Sequence, residues 1–144
     1  MNLRPMTKED LPAVVSIHER ITRGRVSERW RQMLAEHVDD PNLPGLVAEK
    51  DGRVVGFIIG EVKVGGFGAD ISGWIEMVGV TPEYMGSGIG RTLALRLMDH
   101  FAEQGVEDVC TSVRWDSGDM LAFFKNLGFD RSPFINLRYK VSRG

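Results

Sequence analysis

The sequence predicts an α+β fold: an α/β/α sandwich around a mixed, mostly antiparallel central sheet. Three observations point to it. The elements read in the order β-α-α-β-β-β-α-β-α-β along 144 residues. Asp51-Gly52 separates two apolar runs, which is a strong tight-hairpin signal. Trp74 to Val80 runs through a glycine-dense turn into an amphipathic stretch, and a further strand, Val109 to Val113, follows. Hairpins followed by a strand-helix-strand crossover give a mixed sheet covered by helices.

Each element has a local reason. Asn2 to Arg4 is a short edge strand broken by Pro5. Thr7-x-x-Asp10 resembles a capping box, with Asp in place of the usual Glu. Leu11, Val14, Val15 and His18 then recur at helical spacing. Gly24 interrupts, and Ser27 is placed to cap a second helix carrying Trp30, Met33 and Leu34. Asp39 to Gly45 is a loop by composition. Leu46 to Ala48 and Val54 to Val62 are the hairpin strands, and Lys63 to Gly73 reads as a glycine-rich mobile connection. The next strand is Trp74 to Val80, and the helix Arg91 to Glu103 stops at Gln104-Gly105. Val109 to Val113 is a strand, Asp119 to Asn126 a short helix with Gly128 past its end, and Phe134 to Val141 a final strand.

The bulk numbers bound the answer. A chain of 144 residues reads as one domain, 1–144, without repeats or linker. With 42% hydrophobic and 26% charged residues it has the composition of an ordinary soluble globule. A net charge of −2 argues against broad adhesion to nucleic acid or membranes, while leaving room for a local basic pocket. The single cysteine, Cys110, excludes an internal disulfide and fits a reducing, cytoplasmic compartment; it reads as a buried, inert thiol. No leader or membrane span is read, and His18, His37, His100 and Cys110 show no metal-ligand spacing, so no metal is expected.

The chemistry concentrates in Val80-Thr81-Pro82-Glu83-Tyr84-Met85-Gly86-Ser87-Gly88-Ile89-Gly90-Arg91. Glycines let a ligand approach bare main chain, and the first amides of the following helix lack internal partners at its positive end. Strand, glycine turn and helix together make a cradle for a phosphate or pyrophosphate. The nucleotide-hydrolase loop needs four residues between its glycines and then Lys-Ser/Thr, whereas three separate Gly86 from Gly90 and Arg91-Thr92 follows. The dinucleotide fingerprint also fails, since its third glycine should lie three after the second.

Gly-x-Gly-x-Gly after a Val-x-Pro-x-Tyr strand exit resembles the acyl-coenzyme A loop of the GNAT N-acetyltransferase superfamily. Leu3-Arg4-Pro5-Met6-Thr7-Lys8-Glu9-Asp10-Leu11 resembles its opening strand and first helix cap, and Ala122-Phe123-Phe124-Lys125-Asn126-Leu127-Gly128-Phe129 its late helix-to-strand signature. The resemblance implies that the fourth and fifth strands splay apart. Main-chain groups of Met77, Val78, Gly79 and Val80 then hold the pantetheine arm of acetyl-coenzyme A, and amides of Met85, Gly86, Ser87, Gly88, Ile89, Gly90 and Arg91 its pyrophosphate. Met85 stands where the family usually has Arg or Gln, and Ser87 where Lys or Arg is common; Arg91 restores some charge or is a solvated first-turn side chain. Ser117 is at a position where an asparagine often contacts pantetheine, or it caps the short helix.

An amine nucleophile titrates near ~10, so transfer needs a proton acceptor. Glu76, in an otherwise apolar strand where the family often has a glutamate, is the first candidate, with a structural ion pair as the alternative; alternation places it on one face with Val78 and Val80. The family's leaving-group acid is a tyrosine where this chain has Phe124, which reads as core. Tyr84 is a weak substitute acid, better read as packing. Glu19, Arg23 and Arg25 lie where the family lines its acceptor pocket, or form a solvated loop.

The resemblance therefore implies an acetyl-coenzyme A-dependent N-acetyltransferase acting on a small-molecule or peptide amine by direct attack in a ternary complex. The alternative is a non-catalytic acyl-coenzyme A sensor or interaction module of the same fold. Family members often pair through sheet edges or late strands, which leaves a homodimer open.

Overall fold

The computed structural model describes residues 1–66 and 70–142, which fall into two compact units, 1–113 and 114–144. The first holds strands β1 (Asn2–Pro5), β2 (Gly45–Lys50), β3 (Arg53–Val64), β4 (Ile71–Val80) and β5 (Val109–Thr111), with helices α1 (Leu11–Thr22), α2 (Glu28–Glu36) and α3 (Ile89–Glu103). The second holds α4 (Gly118–Asn126). The strands lie in the order β1-β2-β3-β4-β5, antiparallel except for the parallel pair β4–β5. The mixed, mostly antiparallel sheet expected from the sequence is the one observed.

The local signals act as read. The Ser27 hydroxyl accepts from the Trp30 amide at 3.1 Å and opens α2. Asp51 and Gly52 both take left-handed backbone, φ 51° and 77°, as a two-residue hairpin turn requires. Gly105, φ 83°, ends α3. At the chain start, buried Asp10 accepts from the Thr7 amide at 2.8 Å and from Arg4 Nη1 and Nη2 at 2.7 and 2.9 Å. Arg4 also reaches Glu49 on β2, so one guanidinium ties β1, β2 and the entry to α1.

The core has two sides. Val14, Val15 and Ile17 of α1, with Leu34 of α2, pack against Met6, Val47, Phe57 and Ile59. On the other face α3 buries Ile89, Leu93, Leu97 and Phe101. It lies close because the sheet carries glycine beneath it: a Cβ on Gly73 would stand 2.7 Å from the Phe101 ring.

Four expectations shift. β3 runs on to Val64 and β4 begins at Ile71, where the sequence reads a loop from Lys63 to Gly73; residues 67–69 of that stretch lie outside the described residues. Gly73 reads as a loop residue, but it is the close approach to Phe101 that requires it. β5 stops at Thr111 rather than Val113. Phe134 to Val141 forms no strand among the described residues; a segment becomes a strand only beside a hydrogen-bonding neighbour strand. No helix among the described residues is long and apolar enough to cross a membrane.

Gly73→Ala is expected to destabilise the protein by about 1–3 kcal/mol, the usual penalty for overpacking a filled core. Urea unfolding measures it, and an unchanged midpoint would show that α3 can retreat freely from the sheet.

Candidate active site

The site grows from an irregularity in β4. Ile59 pairs with Met77, but the next residue, Gly60, pairs with Ile75, so Glu76 has no opposite number. One extra residue makes a β-bulge, which bends the strand and resets its alternation. The two ends of β4 show the reset. A Cβ on Gly73 would meet Phe101 of α3, whereas one on Gly79 would meet Phe57 and Ile21 on the α1 side. Glu76 therefore shares the α1–α2 face with Met77, which packs on that core. Val78 and Val80 point to the opposite face, so the alternation expected from the sequence is corrected by the bulge.

The bulge also marks where β4 loses a neighbour. Its parallel pairing with β5 covers Gly73, Trp74 and Ile75 and goes no further. The Thr111 hydroxyl donates to the Ile75 carbonyl at 2.9 Å and closes the pairing. From Met77 to Val80 the strand is bonded to β3 on one side and has no paired strand on the other among the described residues.

Glu76 is solvent-accessible at its strand edge, yet partial burial pushes its carboxyl above the ordinary value of 4.5. The Lys63 charge opposes the rise, the Glu61 carboxyl adds to it by charge and by a shared hydrogen bond, and His37 opposes it. Lys63 Nζ sits 3.7 Å from Glu61 Oε2 and 4.5 Å from the centre of the Trp74 ring. Buried His37 donates from Nδ1 to the Met33 carbonyl at 3.0 Å, while its Nε2 has no hydrogen-bond partner among the described residues. These three neighbours escaped the sequence reading. The hairpin register places Glu61 opposite Trp74, a signal available once the turn is fixed, but only tertiary packing brings His37.

Past Val80 the chain makes a 3-10 turn, Pro82–Tyr84, and enters α3. Gly86 and Gly88 are left-handed, φ 81° and 91°, with open space where a Cβ would stand. Gly90 is an ordinary residue of the first helical turn. The Met85 and Ser87 amides donate to Pro82 and Tyr84 carbonyls at 3.3 and 3.2 Å, and the Ser87 hydroxyl also donates to the Tyr84 carbonyl. The bond from the Thr92 amide to the Gly88 carbonyl, 3.0 Å, belongs to the first turn of α3, so the Ile89 and Gly90 amides precede the helical ladder. The Tyr84 ring lies 4.9 Å from Lys50 Nζ.

Facing this turn, Arg20 of α1 pairs with Glu83 at 2.7 Å. Glu19 accepts from the Val26 amide at 3.0 Å and so holds the α1–α2 connection. Arg23 caps α1 in left-handed backbone, φ 59°, and Arg25 follows; both are exposed. His18 stacks on Trp30 with ring centres 4.4 Å apart, and burial lowers its proton affinity. Cys110 is half-buried rather than buried, and burial pushes its thiol up, with Asp108 adding to the shift.

In the second unit Ser117 stands at the N-cap of α4, where its carbonyl accepts from the Leu121 amide at 3.0 Å while its side chain makes no cap bond. Phe124 is buried and meets Phe123 and Phe129 edge-on at 5.0 and 5.2 Å.

Comparison with known proteins adds a lineage to this geometry. Residues 11–129 match the model of the Acetyltransferase (GNAT) family. A mycothiol acetyltransferase of Kocuria rhizophila is 35% identical over 113 residues, 78% of this chain but 36% of its own; the chain spans about a third of the first such relatives' length. The N-alpha-acetyltransferase RimI of Mycobacterium tuberculosis is 32% identical over 95% of this chain and 90% of its own. The solved aminoglycoside N-acetyltransferase AAC(6')-Iy in complex with CoA shares the fold, with TM-score 0.84 over 98% of this chain and 95% of that one at 17% identity. With its family model matched over most of its length, this chain belongs to the acetyltransferase (GNAT) family.

Proposed function

We propose that the chain is an acetyl-coenzyme A-dependent N-acetyltransferase that joins an acetyl group to an amine by direct attack in a ternary complex. One observation carries the reading. A strand edge that has no paired strand among the described residues from Met77 to Val80 leads straight into a left-handed glycine turn at a helix N-terminus, with a carboxylate at its bulge.

The bare edge suits the pantetheine amides, which pair with main-chain groups of Met77, Val78, Gly79 and Val80. The pyrophosphate takes the amides of Gly86, Gly88, Ile89 and Gly90, with the Arg91 side chain beside them. The Met85 and Ser87 amides serve the turn itself, so those two residues shape the cradle rather than fill it. Acetyl-coenzyme A supplies the thioester, and a main-chain donor near Val78 meets the oxyanion that forms on attack. Glu76 accepts the ammonium proton, directly or through one water. Its place on the α1–α2 face puts it on the same side as the connection that bears Arg23 and Arg25. These two meet the acceptor, a small-molecule or peptide amine, while Glu19 holds their connection in shape. Phe124 carries no hydroxyl, so the thiolate leaves without that acid, and the contact of Tyr84 with Lys50 supports a packing role.

Calorimetric titration tests the cradle: acetyl-coenzyme A is expected to bind one-to-one and ATP not at all. Silence with acetyl-coenzyme A would remove the enzyme reading. Binding without transfer to any of a broad amine panel would leave a non-catalytic acyl-coenzyme A module. Glu76→Gln is expected to lower kcat by about 10²–10⁴-fold, the range for a lost general base, with acetyl-coenzyme A affinity kept. The base acts ionised, so wild-type turnover should fall as pH drops through a value above 4.5, and this limb should vanish in the variant. An unaltered kcat would exclude Glu76. Gly88→Ala forces a Cβ into left-handed backbone, a cost of about 1–2 kcal/mol; acetyl-coenzyme A affinity should fall several-fold, and an unchanged Kd would place the anion elsewhere.

A further inference from the structure

A second cluster lies beside Glu76 on the α1–α2 face of the sheet. Gly60 faces α3, since a Cβ there would meet Phe101 and Leu97. Its neighbour Glu61 and, two further on, Lys63 therefore point to the α1–α2 side. Gly73 also faces α3, which puts Trp74 on the same side as Glu61, its partner in the register. Lys63 Nζ sits over the Trp74 ring, 4.5 Å from its centre, and 3.7 Å from Glu61 Oε2. An aromatic face beside a carboxylate suits a positive charge, and the chain's own lysine occupies it.

Lys63 leaves this cluster short of donors. Glu61 shares a hydrogen bond with Glu76, so one ammonium stands against two carboxyls. Buried His37, 5% exposed, lies close enough for its charge to act on Glu76. Its Nδ1 donates to the Met33 carbonyl, so in the neutral ring Nε2 offers a lone pair, and no donor among the described residues meets it. An incoming ammonium brings three N–H donors to such a place. The hold of Lys63 is also weak: its side chain and that of Glu61 are 37% and 36% exposed, and an ion pair so open to water adds little.

We infer that the Trp74 face and the Glu61 carboxyl form a cation subsite, held by Lys63 in the free protein and taken over by a second positive charge of the bound acceptor. The inference rests on the acetyltransferase reading, in which the reacting amine meets Glu76. It narrows the acceptor to an amine that carries another ammonium or guanidinium a short alkyl chain from the reacting nitrogen. The course of β4 sets the direction. Trp74 lies to one side of Glu76. Arg23 and Arg25 follow Ile21, which a Cβ on Gly79 would meet at 3.1 Å on the other side. The cationic end of the acceptor therefore points toward Trp74, away from those two arginines.

Nuclear magnetic resonance titration of the intact protein tests the subsite. The reporter is the Trp74 indole N–H, which donates to the Ser72 hydroxyl at 3.0 Å, and its signal is assigned by its loss in Trp74→Phe. The probes are 1,4-diaminobutane and n-butylamine at matched ionic strength. The diamine should move the Trp74 signal saturably, with a Kd about three- to thirtyfold below that of the monoamine, the effect of one exposed ion pair plus one cation–aromatic contact. Lys63→Ala vacates the subsite and should tighten diamine binding about two- to fivefold. Glu61→Gln should erase most of the preference for the diamine. In transfer assays the advantage of the diamine should appear in KM rather than kcat. Equal affinity for the two probes overturns the inference, as does a diamine that fails to bind or binds without moving the Trp74 signal. A preference that survives Glu61→Gln, or Lys63→Ala without tighter binding, overturns it as well. The titration needs no acetyl transfer. Failure to bind acetyl-coenzyme A would thus strike the enzyme reading alone, and a failed diamine titration the subsite alone.

Discussion

The bulge at Glu76 is the constraint on which the candidate site depends. A regular β4 would keep one alternation from Ile71 to Val80, and Glu76 would share its face with Val78. The slip between Ile59–Met77 and Gly60–Ile75 breaks that alternation. It lets Gly73 receive Phe101 on one side of the sheet while Gly79 receives Phe57 on the other. It leaves Glu76 on the face of α1 and α2. Pairing with β5 ends at Ile75, the residue before the bulge. One inserted residue thus accompanies both the orientation of the carboxylate and the bare edge beyond it.

The second requirement is that α3 start where that edge ends. Its N-terminus is aimed by the turn, and the turn needs left-handed backbone at Gly86 and Gly88, which other residues adopt only with strain. Its axis is held by Ile89, Leu93, Leu97 and Phe101 lying on a sheet surface cleared of side chains at Gly56, Gly60 and Gly73. The same residue type serves two physical ends here, conformation in the turn and clearance in the sheet. Gly86 and Gly88 have open space where a Cβ would stand, whereas Gly56, Gly60 and Gly73 do not. The turn is therefore shaped by backbone angles, and the helix that follows it is held by packing along its length.

Much of this was legible in the residues, because turns and caps are local. Ser27 caps α2, Asp51-Gly52 turns the hairpin, and Gly105 ends α3 for reasons contained within a few residues each. The strand-glycine-helix motif was legible for the same reason. What the sequence hid is what two distant segments decide together. Register requires both strands, so the bulge was invisible and Glu76 was assigned the wrong companions. Gly73 looked like a loop residue because the reason for its lack of a side chain is Phe101, 28 positions away. Glu61, Lys63 and His37 around Glu76 belong to β3 and the end of α2, and no spacing rule joins them. Phe134 to Val141 has the period of a strand, but a strand is a property of a pair.

The proposed chemistry divides unevenly between base and acid, and the residues present match that division. An alkylamine titrating near ~10 lies about three units above neutrality, so freeing it of its proton costs about 4 kcal/mol at pH 7. The leaving thiol, near ~8.5, lies about 1.5 units above, so expelling it as thiolate without an acid costs about 2 kcal/mol. The larger barrier falls on the nucleophile's proton. A carboxylate held ready at the strand edge addresses that barrier. In the proposed reaction, burial, which raises the proton affinity of Glu76, would narrow its mismatch with the ammonium. Phe124, buried among Phe123 and Phe129, forgoes the smaller gain and fills core instead. Under the proposed reaction, the missing hydroxyl at Phe124 therefore costs less than a missing carboxylate at Glu76 would.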